Sequence, residues 1–168
     1  FKADAGLSLN FYRYSFQALP QSTNFNNGEK YFKPQLMPRL AMSYLVGNNM
    51  ALRTTISKGY SPPTTAEVRA SDAIINTNLN VETGWNYEVG IRFSDKSKRL
   101  YADISAFTYQ LNNAIVRRTK GADQDFFVNA GGTRQNGLEG QFKYNFIKRE
   151  TGFIKSVDAE TAITLYGF

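Results

Sequence analysis

Apolar and polar residues alternate in seven separate stretches of the chain. In the first stretch, Phe1 to Phe11, every odd-numbered residue is apolar and every even-numbered residue is polar or glycine. The alternation returns in six later stretches: Leu40–Val46, Leu52–Ile56, Tyr87–Phe93, Leu100–Ala106, Leu138–Tyr144 and Ala159–Leu165. A period of two is typical of a β-strand with one apolar and one polar face. The pattern predicts an all-β fold, an antiparallel up-and-down meander of about seven long strands.

The predicted connections between these strands are alternately long and short. The long ones cover about residues 17–33, 61–84 and 112–133, and the short turns lie near residues 47–49, 94–99 and 148–152. Loops beyond about 12–15 residues are uncommon in compact domains. Transmembrane β-barrels have short periplasmic turns and long extracellular loops. We therefore expect barrel strands that cross a membrane, with the three long loops outside the cell.

The alternation alone does not say whether the apolar face meets lipid or a protein core. A soluble β-sandwich that serves in binding or adhesion has the same period along its strands. A passive, porin-like outer-membrane channel also has it. Both alternatives stay open from the residues alone.

Aromatic residues make up 14% of the chain, and many of them lie near predicted strand ends. Tyrosine and tryptophan favour the two interfaces of a membrane. We therefore expect an interfacial girdle formed by Phe11, Tyr12, Tyr14, Phe16, Tyr31, Phe32, Trp85, Tyr87, Phe107 and Tyr109.

The chain contains neither cysteine nor histidine. Disulfides, thiol nucleophiles, imidazole bases and the usual zinc sites are excluded for these residues. No pair of carboxylates has a base or nucleophile beside it in the sequence, so we expect neither an enzyme nor a bound cofactor or metal. The net charge of +6 is spread over scattered basic residues, which does not favour nucleic-acid binding.

Four segments, in order along the chain, resemble the barrel of TonB-dependent outer-membrane receptors. Residues 37–44 (MPRLAMSY) resemble the family's strand "PRLglsY", and residues 52–63 (LRTTISKGYSPP) resemble "lRasyskGfraP". Residues 76–90 (NTNLNVETGWNYEVG) are similar to "NPdLkPEtswnYElG", with Thr77 and Val81 in place of prolines. Residues 127–131 (FVNAG) and 137–140 (GLEG) resemble the hairpin "fvNag…rGvEle".

The resemblance implies an outer-membrane transporter of a Gram-negative bacterium. Its barrel would have about 22 strands around a plug domain. It would take up a scarce ligand such as a ferric siderophore, driven by TonB, within a bilayer that contains lipopolysaccharide. Residues 1–168 are then expected to be part of the barrel, with the signal peptide and the plug outside this chain and Phe168 a truncation point.

Two groups of charged residues are candidates for function. On the third long loop, Arg117, Arg118 and Lys120 precede Phe126 and Phe127, and Arg69 lies on the second. Cations beside aromatic rings can hold an anionic chelate, although loop cations also simply meet water or lipopolysaccharide. The second group lies on the predicted lumen face, where we expect pairing across strands or with the plug: Arg39, Arg53, Glu88, Arg92, Asp103, Glu139 and Lys143.

Overall fold

The computed structural model describes residues 1–17, 27–71, 74–121 and 124–167. In chain order its elements are β1 (Lys2–Asn10), β2 (Arg13–Phe16), β3 (Gly28–Tyr31), β4 (Gln35–Val46), β5 (Met50–Ser61), α1 (Thr65–Val68), β6 (Glu82–Ser94), β7 (Leu100–Asn112), β8 (Ile115–Lys120), β9 (Gln124–Asn129), β10 (Gly132–Lys148) and β11 (Ser156–Gly167). Seven of these strands form one sheet in the order β1-β4-β5-β6-β7-β10-β11. Every neighbouring pair in that sheet is antiparallel, so the predicted meander is confirmed.

The two ends of this sheet differ as the sequence predicted. Short turns join β4 to β5, β6 to β7 and β10 to β11 at one end, which we call the short-turn end. The three long connections all leave from the opposite, long-loop end. This alternation of short and long connections is the one found in outer-membrane barrels.

The three long connections contain short regular elements that the sequence pattern did not predict. The first connection contains the β2–β3 hairpin and the third contains the β8–β9 hairpin. The second contains α1, a single turn that starts at Thr64, whose backbone N–H donates to the Glu67 carboxylate at 2.7 Å. Strands of four to six residues are too short to give a clear period of two. Part of the predicted 17–33 loop lies outside the described residues.

The strand register places the apolar positions in continuous rows on one face of the sheet, which we call the outward face. Met42, Thr54, Val89, Ala106 and Leu138, for example, lie side by side on five consecutive strands. Several large apolar side chains of this face are exposed, as Leu7 (68%), Val89 (59%) and Leu138 (51%) illustrate. A soluble sandwich would bury such a face against a second sheet. An exposed apolar face of this kind is what a membrane-spanning barrel presents on its outside.

The apolar height of this face fits a membrane. Trp85 and Phe93 mark its two ends on β6, eight residues apart, which corresponds to about 27 Å along the strand. A strand tilt of about 40° reduces this to about 21 Å across the bilayer, close to the apolar band of known barrels. Among the described residues, no helix is long and apolar enough to cross a membrane.

The predicted aromatic girdle needs a correction. Trp85 and Tyr87 lie on the outward face with their rings stacked at a centroid distance of 6.0 Å. Phe107 and Tyr109 instead occupy the opposite, inner face, because they alternate with the outward residues of β7. Phe107 covers Gly137 there, where an added Cβ would come within 2.6 Å of its ring. These two rings therefore fill space on the inner face and do not touch lipid.

Candidate functional site

The three long connections touch one another through the side chain and backbone of Asn76. The Asn76 side-chain amide donates to the Phe127 carbonyl oxygen at 2.7 Å, which joins the second connection to β9. The Tyr14 hydroxyl donates to the Asn76 carbonyl oxygen at 3.4 Å, which adds the β2–β3 hairpin. A single residue thus links all three long connections.

Asn129 makes a second link between the second and third connections. Its side-chain Oδ1 accepts from the Asn80 backbone N–H at 2.7 Å, and its side-chain Nδ2 donates back to the Asn80 carbonyl oxygen at 3.1 Å. The same amide donates to the Asn113 carbonyl oxygen at 2.7 Å, which closes the base of the β8–β9 hairpin. A carboxylate oxygen of Glu82 accepts from the Ile115 N–H at 2.7 Å. Side chains therefore satisfy backbone groups that no sheet partner reaches.

Apolar residues of the second connection are buried beneath these links. Leu79 is 1% exposed, and Val68 and Val81 are nearly as well covered. Together with Pro63 and Met37 they form the buried apolar core of the described residues. The connections are therefore packed against the end of the sheet, and they present side chains from a supported surface.

The β2–β3 hairpin adds an aromatic cluster to the same end. The Phe32 ring lies 5.3 Å from Tyr12 and 5.8 Å from Tyr14, measured between centroids. Burial, with a smaller contribution from Tyr12, raises the pKa of the Tyr14 hydroxyl above its usual 10.0. Tyr14 therefore stays protonated at neutral pH and acts as the hydrogen-bond donor to Asn76.

The β8–β9 hairpin divides the predicted basic and aromatic cluster between two faces. Opposed residues of an antiparallel pair share a face, and neighbours along a strand alternate. Arg118 opposes Phe126, and Lys120 lies two residues further along the same face, which we call the basic hairpin face. Arg117 opposes Phe127 on the other face, where a nitrogen of Arg117 lies 3.4 Å from a carboxylate oxygen of Asp125.

Arg69 does not join this cluster. It is exposed at the end of α1, where it forms an isolated bridge with Ile75. Among the described residues no ion pair or hydrogen bond connects its side chain to the β8–β9 hairpin. The structure thus brings together three of the six predicted loop residues, Arg118, Lys120 and Phe126.

The asparagines that hold the loops were missed as structural residues by sequence reasoning. Asn76 and Asn129 both lie in segments that resemble the receptor family, and that resemblance was the available signal. The contacts by which they join the second connection to the third span more than 45 residues, as in Asn76 with Phe127 (separation 51) and Asn129 with Asn80 (separation 49). No local pattern encodes contacts of such separation.

Charged residues on the inner face pair across strands, as predicted. Arg53 of β5 reaches across β6 to bond Asp103 of β7, and Arg92 binds the other Asp103 oxygen at 2.7 Å. Between them lies Gly90, where an added Cβ would come within 3.2 Å of the Arg53 guanidinium. Because Gly90 has no side chain, the Arg53 guanidinium can pass over β6 and reach Asp103 on β7.

A second group of inner charges lies on β10 and β11. The Lys143 ammonium is 3.4 Å from Asp158 and 3.9 Å from Glu160. Arg39 and Glu139 form no ion pair among the described residues. Between the two groups lies an open depression of about 390 Å³ lined by Arg53, Asp103, Glu139 and Gln141 among others.

The chemistry available at either end of the sheet is that of binding. Within residues 1–17, 27–71, 74–121 and 124–167, no group of histidine, cysteine, aspartate and glutamate side chains could hold a metal ion. Asp103 on the inner face is paired with two arginines, and the cations on the basic hairpin face are exposed to solvent.

Comparison with known proteins agrees with this architecture. A family model for the TonB-dependent receptor-like β-barrel matches residues 1–166. The chain belongs to the TonB-dependent receptor family. Receptors of this family are transporters, not enzymes, and lie in the outer membrane of Gram-negative bacteria. The family match contradicts the soluble sandwich as a description of this barrel segment.

Solved structures of other receptors share its fold. The siderophore receptor PirA from Pseudomonas aeruginosa has a TM-score of 0.66 at 18% identity, over 96% of this chain and 34% of PirA. The Serratia marcescens hemophore receptor HasR, solved with hemophore HasA and heme, has a TM-score of 0.59 at 20% identity, over 84% of this chain and 27% of HasR. The copper transporter OprC has a TM-score of 0.64 at 12% identity, over 98% of this chain and 26% of OprC. The receptor chain thus spans about a third or less of each relative.

Proposed function

We propose that this receptor chain supplies seven wall strands and three ligand-facing loops to a TonB-dependent transporter of a scarce ligand such as a ferric siderophore. Residues 1–168 would be part of a barrel of about 22 strands, with the plug elsewhere in the protein. The long-loop end faces outward from the cell, and TonB drives release of the ligand through the lumen.

The observation that supports this proposal is the linkage of the three long connections at one end of the sheet. Asn76 and Asn129 hold these connections over a buried apolar core. The basic hairpin face is therefore held in a fixed position. Pre-ordered binding groups lose less conformational freedom when a ligand arrives. A receptor that collects a dilute ligand benefits from this arrangement.

The chemistry of the basic hairpin face favours an anionic ligand with aromatic groups. Arg118 and Lys120 are exposed, and Phe126 beside them is half-buried. Gln124, the partner of Lys120, is a neutral residue on this face, and the paired residues of β8 and β9 place no acid there. A ferric tricatecholate combines negative charge with flat rings, which guanidinium and phenyl groups bind by charge and stacking.

Uptake measurements on the full-length receptor test the proposal. Iron-starved cells take up radiolabelled ferric tricatecholate or ferric trihydroxamate, and uptake is expected to disappear when either the receptor or TonB is deleted. The double substitution Arg118→Ala/Lys120→Ala should raise the half-saturating tricatecholate concentration about tenfold, since two charge-assisted contacts are lost. The matched control Arg117→Ala, on the other hairpin face, should change it little.

Two results would contradict the proposal. The first is that cells without the receptor still take up both chelates and other scarce ligands at the normal rate, which would contradict the proposed transport function. An equal effect of Arg117→Ala and of the double substitution would remove the basic hairpin face as the contact surface.

A further inference from the structure

The β8–β9 hairpin has two outer edges, and the register shows which backbone groups each edge presents. In an antiparallel pair, every second residue points its N–H and C=O groups at the partner strand, and the residues between point them away. The Ala130 N–H donates to the Ala114 carbonyl oxygen at 2.8 Å, which sets this alternation for the hairpin. The groups that point away therefore belong to Ile115, Arg117 and Thr119 on β8 and to Asp125, Phe127 and Asn129 on β9.

Side chains of the second connection cover the outer edge of β9. The Ser71 hydroxyl accepts from the Asp125 N–H at 2.6 Å and donates to the Asp125 carbonyl oxygen at 3.4 Å. The Asn76 amide donates to the Phe127 carbonyl oxygen at 2.7 Å. These side chains take the place of a neighbouring strand, so the edge of β9 has little left to offer another one.

The outer edge of β8 is covered at its base alone. There the Ile115 N–H donates to the Glu82 carboxylate at 2.7 Å. Further along, the backbone N–H and C=O groups of Arg117 and Thr119 have no hydrogen-bond partner among the described residues, and both residues are exposed. We call these backbone groups the open edge. Unpaired groups in such a row are a template for a further strand.

The cations of β8 restrict which strand could pair with the open edge. A nitrogen of Arg117 lies 3.4 Å from an Asp125 carboxylate oxygen, whereas Arg118 and Lys120 form no ion pair within the described part of the chain. Charged side chains on an edge discourage pairing with ordinary strands. Opposite charges directly across from each other stabilise a pair of strands, and like charges destabilise it. The open edge is therefore suited to an acidic strand.

The spacing of the cations defines the complementary sequence. In an added antiparallel strand, the residues opposite Arg118 and Lys120 would form the non-hydrogen-bonded pairs, whose Cα atoms are about 4.5 Å apart and whose side chains are closest. These two positions are separated by one residue, which would face Thr119 and bond to its N–H and C=O groups. The fitting sequence is an acid, any strand-forming residue and a second acid.

We infer that the open edge of β8 binds an extended acidic segment of another protein by strand addition. A polypeptide fits this edge because it supplies alternating backbone donors and acceptors together with acids at the required spacing. The inference goes beyond the proposed function. The chelate would contact side chains of the basic hairpin face, whereas the added strand would also bond the backbone of Arg117 and Thr119.

The test uses the full-length receptor, purified in a non-ionic detergent, and short fluorescent peptides. The probe is the acetylated peptide VETEV, and its controls are VKTKV and a copy of VETEV with an N-methyl group on the threonine. Fluorescence anisotropy measures affinity, and infrared spectra of peptide with isotope-labelled carbonyl groups report its conformation. VETEV should bind saturably as a β-strand. The N-methylated copy should bind about fivefold more weakly, because it lacks the donor that faces Thr119, and VKTKV should not bind.

Substitutions on the receptor separate the backbone contribution from the charge contribution. Thr119→Pro removes an N–H that points away from β9, which an edge strand tolerates, and should weaken VETEV binding about fivefold. Thr119→Val is the matched control, since it loses the same hydroxyl, which donates to Asp125, but keeps the N–H. It should bind like wild type. Arg118→Gln/Lys120→Gln should weaken binding about fivefold by removing both charge pairs. Heat-modified migration on gels confirms that each variant forms a folded barrel.

Three outcomes would overturn the inference. The first is no saturable binding of VETEV, and the second is binding of VKTKV as tight as that of VETEV. The third is wild-type affinity for the N-methylated peptide, which would indicate attraction by charge without strand addition and which does not depend on how any variant folds. The experiment contains no chelate and measures no uptake, so failure of the transport proposal leaves its result unaffected.

Discussion

The outward and inner faces of the same seven strands are built by opposite rules. The outward face is mostly apolar, and large side chains on it are exposed, with Val89 at 59% and Leu165 at 62%. The inner face carries charged residues, several of which pair across strands, as in Arg53 with Asp103. The difference teaches that the two faces are suited to different surroundings, apolar outside a barrel wall and aqueous inside it.

The largest effect should come from placing a charge on the outward face. Leu165→Arg puts a guanidinium in the middle row of the apolar surface, and we expect it to lower the free energy of unfolding by about 2–4 kcal/mol. The matched control is Thr164→Arg, one residue away on the inner face and opposite Glu139. Urea unfolding of the refolded receptor in lipid vesicles measures both. Equal losses in the two variants would remove the distinction between the faces.

Crowding on the inner face should have the next largest effect. In Gly137→Ala the new methyl group would meet the Phe107 ring at 2.6 Å and the Leu165 carbonyl oxygen at 2.8 Å. Overpacking of this kind costs about 1–3 kcal/mol of stability. Gly59→Ala is the control, because no atom lies within 4 Å of its added Cβ. The same unfolding experiment should show a loss for the first variant and no loss for the second.

Removal of one inner carboxylate should have a smaller effect. Asp103→Asn leaves the Arg53 and Arg92 guanidinium groups without their shared partner. Hydrogen bonds to charged groups contribute about 1.5–3 kcal/mol, and lumen water reduces the expected loss to about 1–2 kcal/mol. Asp158→Asn, whose pair with Lys143 is more exposed, should cost less than about 1 kcal/mol. A larger loss in the second variant would contradict the assignment of Asp103 as the centre of this network.

The smallest effect concerns the short turn between β6 and β7, and it depends on pH. The Ser97 hydroxyl and the backbone N–H groups of Leu100 and Arg99 hold the pKa of Asp95 below its ordinary 3.8. A lowered pKa in the folded state stabilises the fold above pH 3.8, and the contribution is lost as the pH falls through the lowered value. Asp95→Ala should therefore lower the melting temperature slightly at pH 7 and not at pH 2. A difference that persists at pH 2 would contradict this cause.

The sequence predicted the wall of the barrel better than its loops, for a physical reason. Along Leu138–Tyr144, successive side chains lie on opposite faces of the sheet, one apolar and one polar. The period of two is therefore visible in the sequence itself. Loop contacts such as Asn129 with Asn80 join distant residues and leave no local period. The predicted cluster of Arg117, Arg118 and Lys120 is split because the β8–β9 hairpin, which was not predicted, places neighbouring residues on opposite faces.

The assignment of individual aromatic residues shows the same limit. Trp85 and Tyr87 follow the outward positions of β6 and were correctly placed in the girdle. Phe107 and Tyr109 were wrongly included because nearness to a strand end does not define the face. The rings of Phe107 and Tyr109 fit on the inner face because Gly137 and Gly84, on neighbouring strands, have no side chains that would occupy the same space.

Site-specific labelling in intact cells tests the central claim most directly. Because this chain has no cysteine, Lys120→Cys on the basic hairpin face and Lys96→Cys at the short-turn end can be compared in full-length receptor. A polyethylene-glycol maleimide too large to cross the outer membrane is the probe, with the unsubstituted receptor as the blank. The account predicts labelling at position 120 in intact cells and at position 96 after permeabilisation alone. Labelling of position 96 in intact cells would contradict it.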